Sequence, residues 1–254
     1  MTVNTIASES VRIPARTART SPLTIARIAG ILYLVITIAA IVAHFYVPST
    51  LIVPDDAAAT ASNITASETL FRFGGIGAEF VVLLSEIVLT VLLYVLLKPV
   101  SRTLSLVAAV PRLIMTTIHG INLLNYFFVL LLLTDSSYTA AFDADQQQAL
   151  VSLFLDAHHY GFAIGIAFLI LHVFVLGYLI YKSGYIPRVL GILFLLAGLG
   201  YLIDSVGILL LTNYETPGIV AFLIATAEIA FPLWLLVKGV DTERWAARAA
   251  ETAS

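Results

Sequence analysis

The chain has 254 residues, of which 60% are hydrophobic and only 11% charged, and its mean hydropathy is +0.99. Soluble domains carry about 25% charged residues, and here too few polar groups remain to coat a water-facing surface, which excludes a soluble globular or disordered protein. The formal net charge of -3 gives no support to a nucleic-acid partner, and the absence of cysteine removes disulfides, thiolate metal sites and iron–sulfur clusters.

A polytopic membrane protein remains. Crossing about 30 Å of hydrocarbon takes roughly 20 mostly apolar residues, and six stretches qualify: Ala26–Val47, Ile76–Leu97, Leu104–Leu133, His158–Tyr181, Val189–Leu211 and Gly218–Val237. None alternates as a barrel strand does, so all six are read as helices, an all-α transmembrane bundle. Residues 1–22, rich in Ser, Thr, Arg and Pro, read as a disordered cytoplasmic tail, 23–240 as the six-helix transmembrane domain and 241–254 as a cytoplasmic C-terminal tail. Arg12, Arg16, Arg19, Arg27, Lys98, Arg102, Lys182, Arg188, Lys238, Arg244 and Arg248 flank one side of the six stretches; the opposite loops hold only Arg72. The positive-inside rule then puts both termini in the cytoplasm.

The two long loops face the other way. In the first, a short helix is predicted over Ala57–Phe71, capped by Asp55 or Asp56. In the second, Asp143 with Gln146 forms a capping-box pattern. Ala149, Leu150, Leu153 and Phe154 then make one apolar stripe, so a short helix is expected on the outer surface, running into the fourth span. The inner connections are tight, so the second and third spans form one hairpin and the fourth and fifth another.

Polar residues inside the spans carry the functional information, because a charge at the bilayer centre costs about 2.5–3.5 kcal/mol and must find a partner or a cavity. They are Glu79, Glu86, Arg112, His119, His158, His159, His172, Asp204 and Glu228, with His44 near an outer end and Asn122 and Asn125 adding uncharged polarity. At 1.5 Å per residue from the cytoplasmic ends, Arg112 lies about 12 Å deep, His172 and Glu228 about 14 Å and Glu86 about 16 Å. His119 and Asp204 follow at about 22 Å and Glu79 at about 27 Å, a ladder of depths. Glu79 and Glu86 are seven apart and share a helix face, as do Arg112 and His119. The hairpin therefore predicts that Arg112 pairs with Glu86, with Asp204 and Glu228 facing the same interior. One arginine against four carboxylates leaves some of the acids protonated, histidine-paired or cation-bound. Pro232 cannot donate to the Glu228 carbonyl, nor Pro111 to that of Val107, so both helices should bend there.

These residues define a candidate ligand or ion cavity of Glu86, Arg112, His119, His158, His172, Asp204 and Glu228. A metal set of His44, His158, His159 and Asp204 is conceivable near the outer leaflet, as a nitrogen and oxygen donor set suited to zinc. No phosphate-cradling Gly-rich loop and no nucleophile elbow is present, so no nucleotide cofactor is expected.

Several runs carry a resemblance: Arg27–Leu34, Leu51–Thr60, Leu92–Val100, Phe154–His158, Gly184–Gly191 and Leu199–Ser205. From about Arg27 to Gly239 the chain resembles a bacterial six-span family known as domain of unknown function 4386. The resemblance implies a bacterial inner-membrane protein and marks Asp156, His158, Arg188 and Asp204 as family features; it implies no activity, substrate or cofactor. The leading expectation is a membrane protein, in contact with lipid, that binds or transports a small molecule, an ion or a proton through a polar interior. An intramembrane enzyme using His and carboxylate chemistry on a lipid-like substrate, and a structural or regulatory subunit, are the alternatives.

Overall fold

The structure, a computed structural model, describes residues 21–252. The expected tail lies mostly outside these residues, but Ser21 and Pro22 belong to the first helix: the Ser21 hydroxyl accepts from Leu23 N–H and Pro22 opens the helix, where a missing N–H costs nothing. Six helices are long and apolar enough to cross a membrane: Pro22–Leu51, Glu68–Leu97, Arg102–Thr134, Ala144–Ser183, Arg188–Leu210 and Gly218–Val237. With no strand among the described residues, this is the all-α architecture expected. The face holding residue 22 and residue 238 is called the terminal face below, and the opposite one the loop face.

The six spans form a closed ring. Each packs on its neighbours in sequence, and the first closes against the sixth. Lipid gives helices no hydrophobic reason to associate, so close packing must hold them, and small residues permit it. A Cβ on Gly191 would lie 2.6 Å from the Gly177 carbonyl oxygen, and one on Gly30 only 2.8 Å from the Leu236 nitrogen, one turn past Pro232.

The spans are unequal. The fourth is one helix of 40 residues, about 60 Å long at 1.5 Å per residue, twice the hydrocarbon thickness. The capping box opens it, with Asp143 Oδ1 accepting from Gln146 N–H at 2.8 Å and the Gln146 side chain accepting from Asp143 N–H. The helix expected to lie on the outer surface is thus the first turns of the span itself. Its apolar positions pack against the loop-face turns of the third span, Val151 and Leu155 joining Tyr126, Val129 and Leu130 in a second core at the loop face. In the first loop the helix covers Ala57–Ala66, capped by Asp56 Oδ1 on Ala59 N–H, while Asp55 takes the left-handed turn before it.

Two π-helical turns interrupt the first two spans, at Val42–Tyr46 and Phe71–Gly77. Pro48 explains the first: it has no N–H for the His44 carbonyl, and Val47 donates five residues back to Val42. The second brings Gly74 and Gly75 against Val47 and Tyr126, where a Cβ on Gly74 would lie 2.9 Å from Val47. The two turns touch each other.

On the terminal face, residues 242–251 form a helix capped by Asp241. It docks beneath the turn between the second and third spans. The Leu96 carbonyl, left over at a helix end, accepts from Tyr185 OH at 2.8 Å and Trp245 Nε1 at 2.9 Å, and Thr252 Oγ1 donates to Pro99 O at 2.7 Å. Burial in this joint holds the Tyr185 phenol above its ordinary pKa, with Arg248 opposing.

Candidate functional site

The ladder of polar residues resolves into two layers. The deeper one draws a side chain from every span: Tyr33, Glu86, Arg112, His172, Tyr201 and Glu228, in chain order. Arg112 is the hub. Its Nε donates to Glu86 Oε2 at 2.5 Å and Nη2 to Glu86 Oε1 at 2.9 Å, the two-pronged pairing expected from the heptad spacing. Nη1 reaches Tyr33 OH at 3.3 Å and His172 Nε2 at 2.9 Å, and the guanidinium carbon sits 5.1 Å from the centre of the Tyr33 ring. Arg112, Glu86 and His172 are each buried.

These contacts fix the state of His172. Its Nδ1 lies 2.8 Å from the Ala108 carbonyl, which can only accept, and its Nε2 faces Arg112, which can only donate. His172 is therefore the neutral tautomer with the proton on Nδ1. Glu228, partly buried, takes a hydrogen bond from Tyr201 OH at 3.1 Å; Tyr33 is also within its reach. The layer holds two carboxylates and one guanidinium, and the guanidinium is committed to Glu86. Phe231 closes its terminal side, edge-on to Tyr33 and to Phe194. A cavity of about 10 Å³ beside His172, lined also by Thr90, Ser105 and Ala108, has room for about one water. The buried Ser105 hydroxyl has no partner among the described residues.

The second layer lies toward the loop face and uses only the first four spans. His44 Nε2 is 3.3 Å from Glu79 Oε1, His44 within the first π-helical turn and Glu79 in the first α-helical turn after the second. The Phe162 ring separates His44 from His119, at 4.3 Å and 4.7 Å between centres. His119 Nε2 faces the Phe162 carbonyl at 3.1 Å, so it carries a proton there. His158, one helical turn before Phe162, stacks on Tyr126 at 3.7 Å, and its carbonyl accepts from Asn122 Nδ2 at 2.8 Å. Gly161 and Gly165 make this possible. A Cβ on Gly165 would lie 2.2 Å from His119 Nε2 and one on Gly161 only 2.1 Å from Asn122 Oδ1. These glycines seat polar side chains of the third span.

Not every expected residue joins. Asp204, placed by sequence among the interior acids, accepts from Thr216 Oγ1 at 2.6 Å near the loop end of the short fifth span. It lies one turn beyond Tyr201, and the loop hydroxyl satisfies it there. His159 is exposed and lies edge-on to Tyr160. The proposed metal set thus splits between three places, and among the described residues no group of three or more His, Asp or Glu side chains is disposed to hold a metal ion. Sequence reasoning missed Tyr33 and Tyr201. The signal was available: tyrosines belong to the membrane boundary, and a tyrosine about 17–20 Å along a span must find a partner for its hydroxyl.

The comparisons with known proteins agree with this architecture without adding a chemistry. An uncharacterized protein of Archaeoglobus fulgidus is 30% identical over 172 residues, covering 67% of this chain and 85% of that relative. No solved structure matches the chain. A family described as Domain of unknown function (DUF4386) matches residues 28–239, which reach into all six spans and take in every residue of both polar layers. The chain is an integral membrane protein belonging to that family.

Proposed function

We propose that the protein handles protons or small cations within its bundle interior, as a plasma-membrane protein of bacterial type with both termini in the cytoplasm. The carrying observation is the six-span layer around Arg112, in which Glu228 is a second carboxylate that takes a hydrogen bond from Tyr201 and has no ion pair of its own among the described residues. Burying an uncompensated carboxylate costs several kcal/mol, so Glu228 is the place where a proton or a monovalent cation enters the network. The cavity of about 10 Å³ beside His172 suits a water and not a small molecule. Glu79, His44, His119 and His158 supply further exchangeable positions between this layer and the loop face. The eight described Lys and Arg around the terminal face, Arg27, Lys98, Arg102, Lys182, Arg188, Lys238, Arg244 and Arg248, support the orientation, which makes the loop face the outer one.

A second reading has its own support: Arg112 makes four polar contacts with side chains of three other spans, as a device fixing helix order would. One assay separates the two. Protein is reconstituted in liposomes loaded with a pH-sensitive dye, and a pH gradient is imposed with and without Na⁺ or K⁺. Proton handling requires the gradient to collapse faster than in empty liposomes, and Glu228→Gln to abolish the difference. Cation exchange requires the same loss together with dependence on the added ion. Wild-type liposomes as tight as empty ones would overturn the proposal and leave the structural reading.

A further inference from the structure

The terminal face carries a polar feature with no part in either layer. A cleft of about 590 Å³ lies between the Gly184–Pro187 turn, the start of the fifth span, the end of the sixth and the head of the C-terminal helix. Arg188, Lys238 and Arg244 line it, against a single carboxylate, Asp241. Arg244 is committed, its Nε to Asp241 Oδ2 at 3.2 Å and its Nη1 to Gly184 O at 3.2 Å. Arg188 and Lys238 have no carboxylate partner among the described residues, and Arg188 only lies over the Tyr181 ring at 5.7 Å. The cleft therefore presents two cations whose charge nothing nearby cancels.

Its position narrows the ligand. Arg188 is the first residue of the fifth span, and Lys238 follows the last residue of the sixth, so the cleft sits where apolar helix gives way to water. The Trp234 ring forms its membrane-side wall, held by Nε1 donating to Gly239 O at 3.1 Å. On the same two spans, Val189, Ile192, Leu233 and Val237 are exposed and apolar. Two unmatched cations below an apolar strip fit a ligand that is anionic at one end and hydrocarbon at the other. A zwitterionic headgroup would bring its own ammonium against Arg188 and Lys238.

We propose that this cleft binds the phosphate of an anionic phospholipid, with Arg188 and Lys238 gripping the phosphate and the acyl chains lying along the fifth and sixth spans. Trp234 gives the readout. The full chain is reconstituted in phosphatidylcholine vesicles, and tryptophan quenching is followed as brominated phosphatidylglycerol or brominated phosphatidylcholine is added. Each cation near a membrane surface contributes about fivefold, so the phosphatidylglycerol should quench at a mole fraction roughly tenfold or more below that of phosphatidylcholine. Arg188→Gln with Lys238→Gln should erase the preference. Neither side chain makes a hydrogen bond among the described residues, so the fold should survive, and each single variant, with an unchanged melting temperature, should lose part of the preference. Millimolar inorganic phosphate should leave quenching intact; if it abolishes the preference, the cleft takes free phosphate and the lipid assignment fails. Equal quenching by the two lipids, or a preference that survives in the double variant, also overturns the proposal.

Discussion

Arg112→Met tests the deeper layer most directly. The substitution preserves the bulk of the side chain and removes the guanidinium, leaving Glu86 without either hydrogen bond and Tyr33 and His172 without their donor. Hydrogen bonds to charged groups are worth about 1.5–3 kcal/mol each, and two of them are lost at Glu86. Breaking a buried pair from one side costs about 3–5 kcal/mol, because the surviving charge stays buried. Glu86→Met should cost about as much by stranding Arg112, less whatever Glu228 recovers as a substitute counter-ion. The double variant leaves no unpaired charge at this pair and should be more stable than Arg112→Met alone, giving a coupling of about 0.5–3 kcal/mol in the cycle. Unfolding free energies in bicelles, by steric trapping or by titration with denaturing detergent, supply all four corners. Single variants that lose under about 1 kcal/mol, or a double variant that loses the sum of the two, would show that the pair is not the buried hub described here.

Gly165→Ala should force His119 from its seat and Gly161→Ala should do the same to Asn122, each costing about 1–3 kcal/mol, while Gly120→Ala, whose Cβ meets only Leu83 at 3.8 Å, should be nearly neutral in the same unfolding assay. Removing the obstructing ring with Gly165→Ala/His119→Ala should restore part of the loss. Nitrogen-15 NMR of histidine-labelled protein should find His172 protonated at Nδ1 and bare at Nε2; a proton on Nε2 would mean that Arg112 is not its donor. Trp245→Phe, which keeps a ring against the core and removes the indole N–H, should cost only about 0.5–1.5 kcal/mol, because the Leu96 carbonyl keeps Tyr185. Combined with Tyr185→Phe, it should cost more than the sum of the two single losses.

The sequence carries the number of spans and the pairing of Arg112 with Glu86 because both follow from simple repeats: runs of apolar residues, and a seven-residue spacing on two helices joined by a tight turn. The capping box at Asp143 was equally legible, since its two hydrogen bonds are local. What it opens was not, because the choice between a helix lying on the surface and a longer span is made by packing against the third span. Glu228 and Tyr201 meet across two spans with no shared spacing, and nothing in either stretch announces the other. Asp204 misled for a related reason: depth along a helix says how far a residue lies from one end and says nothing of a loop hydroxyl folding back to meet it. The C-terminal helix was hidden because its anchors, Trp245 and Thr252, bond to carbonyls about 150 residues away in sequence.

The ring has a consequence for biosynthesis. Because neighbours in space are also neighbours in the chain, spans emerging one after another can dock in the order in which they are made. Arg112 meets Glu86 as soon as the second and third spans close their hairpin, so the most expensive charge is neutralised once half of the six spans are in place. Tyr201 and Glu228 arrive last, and the contact of the sixth span with the first is what seals the interior. A chain halted before the sixth span would present the Tyr33 hydroxyl and an open flank to lipid, the kind of unfinished surface by which membrane quality control can tell an orphaned fragment from a completed protein.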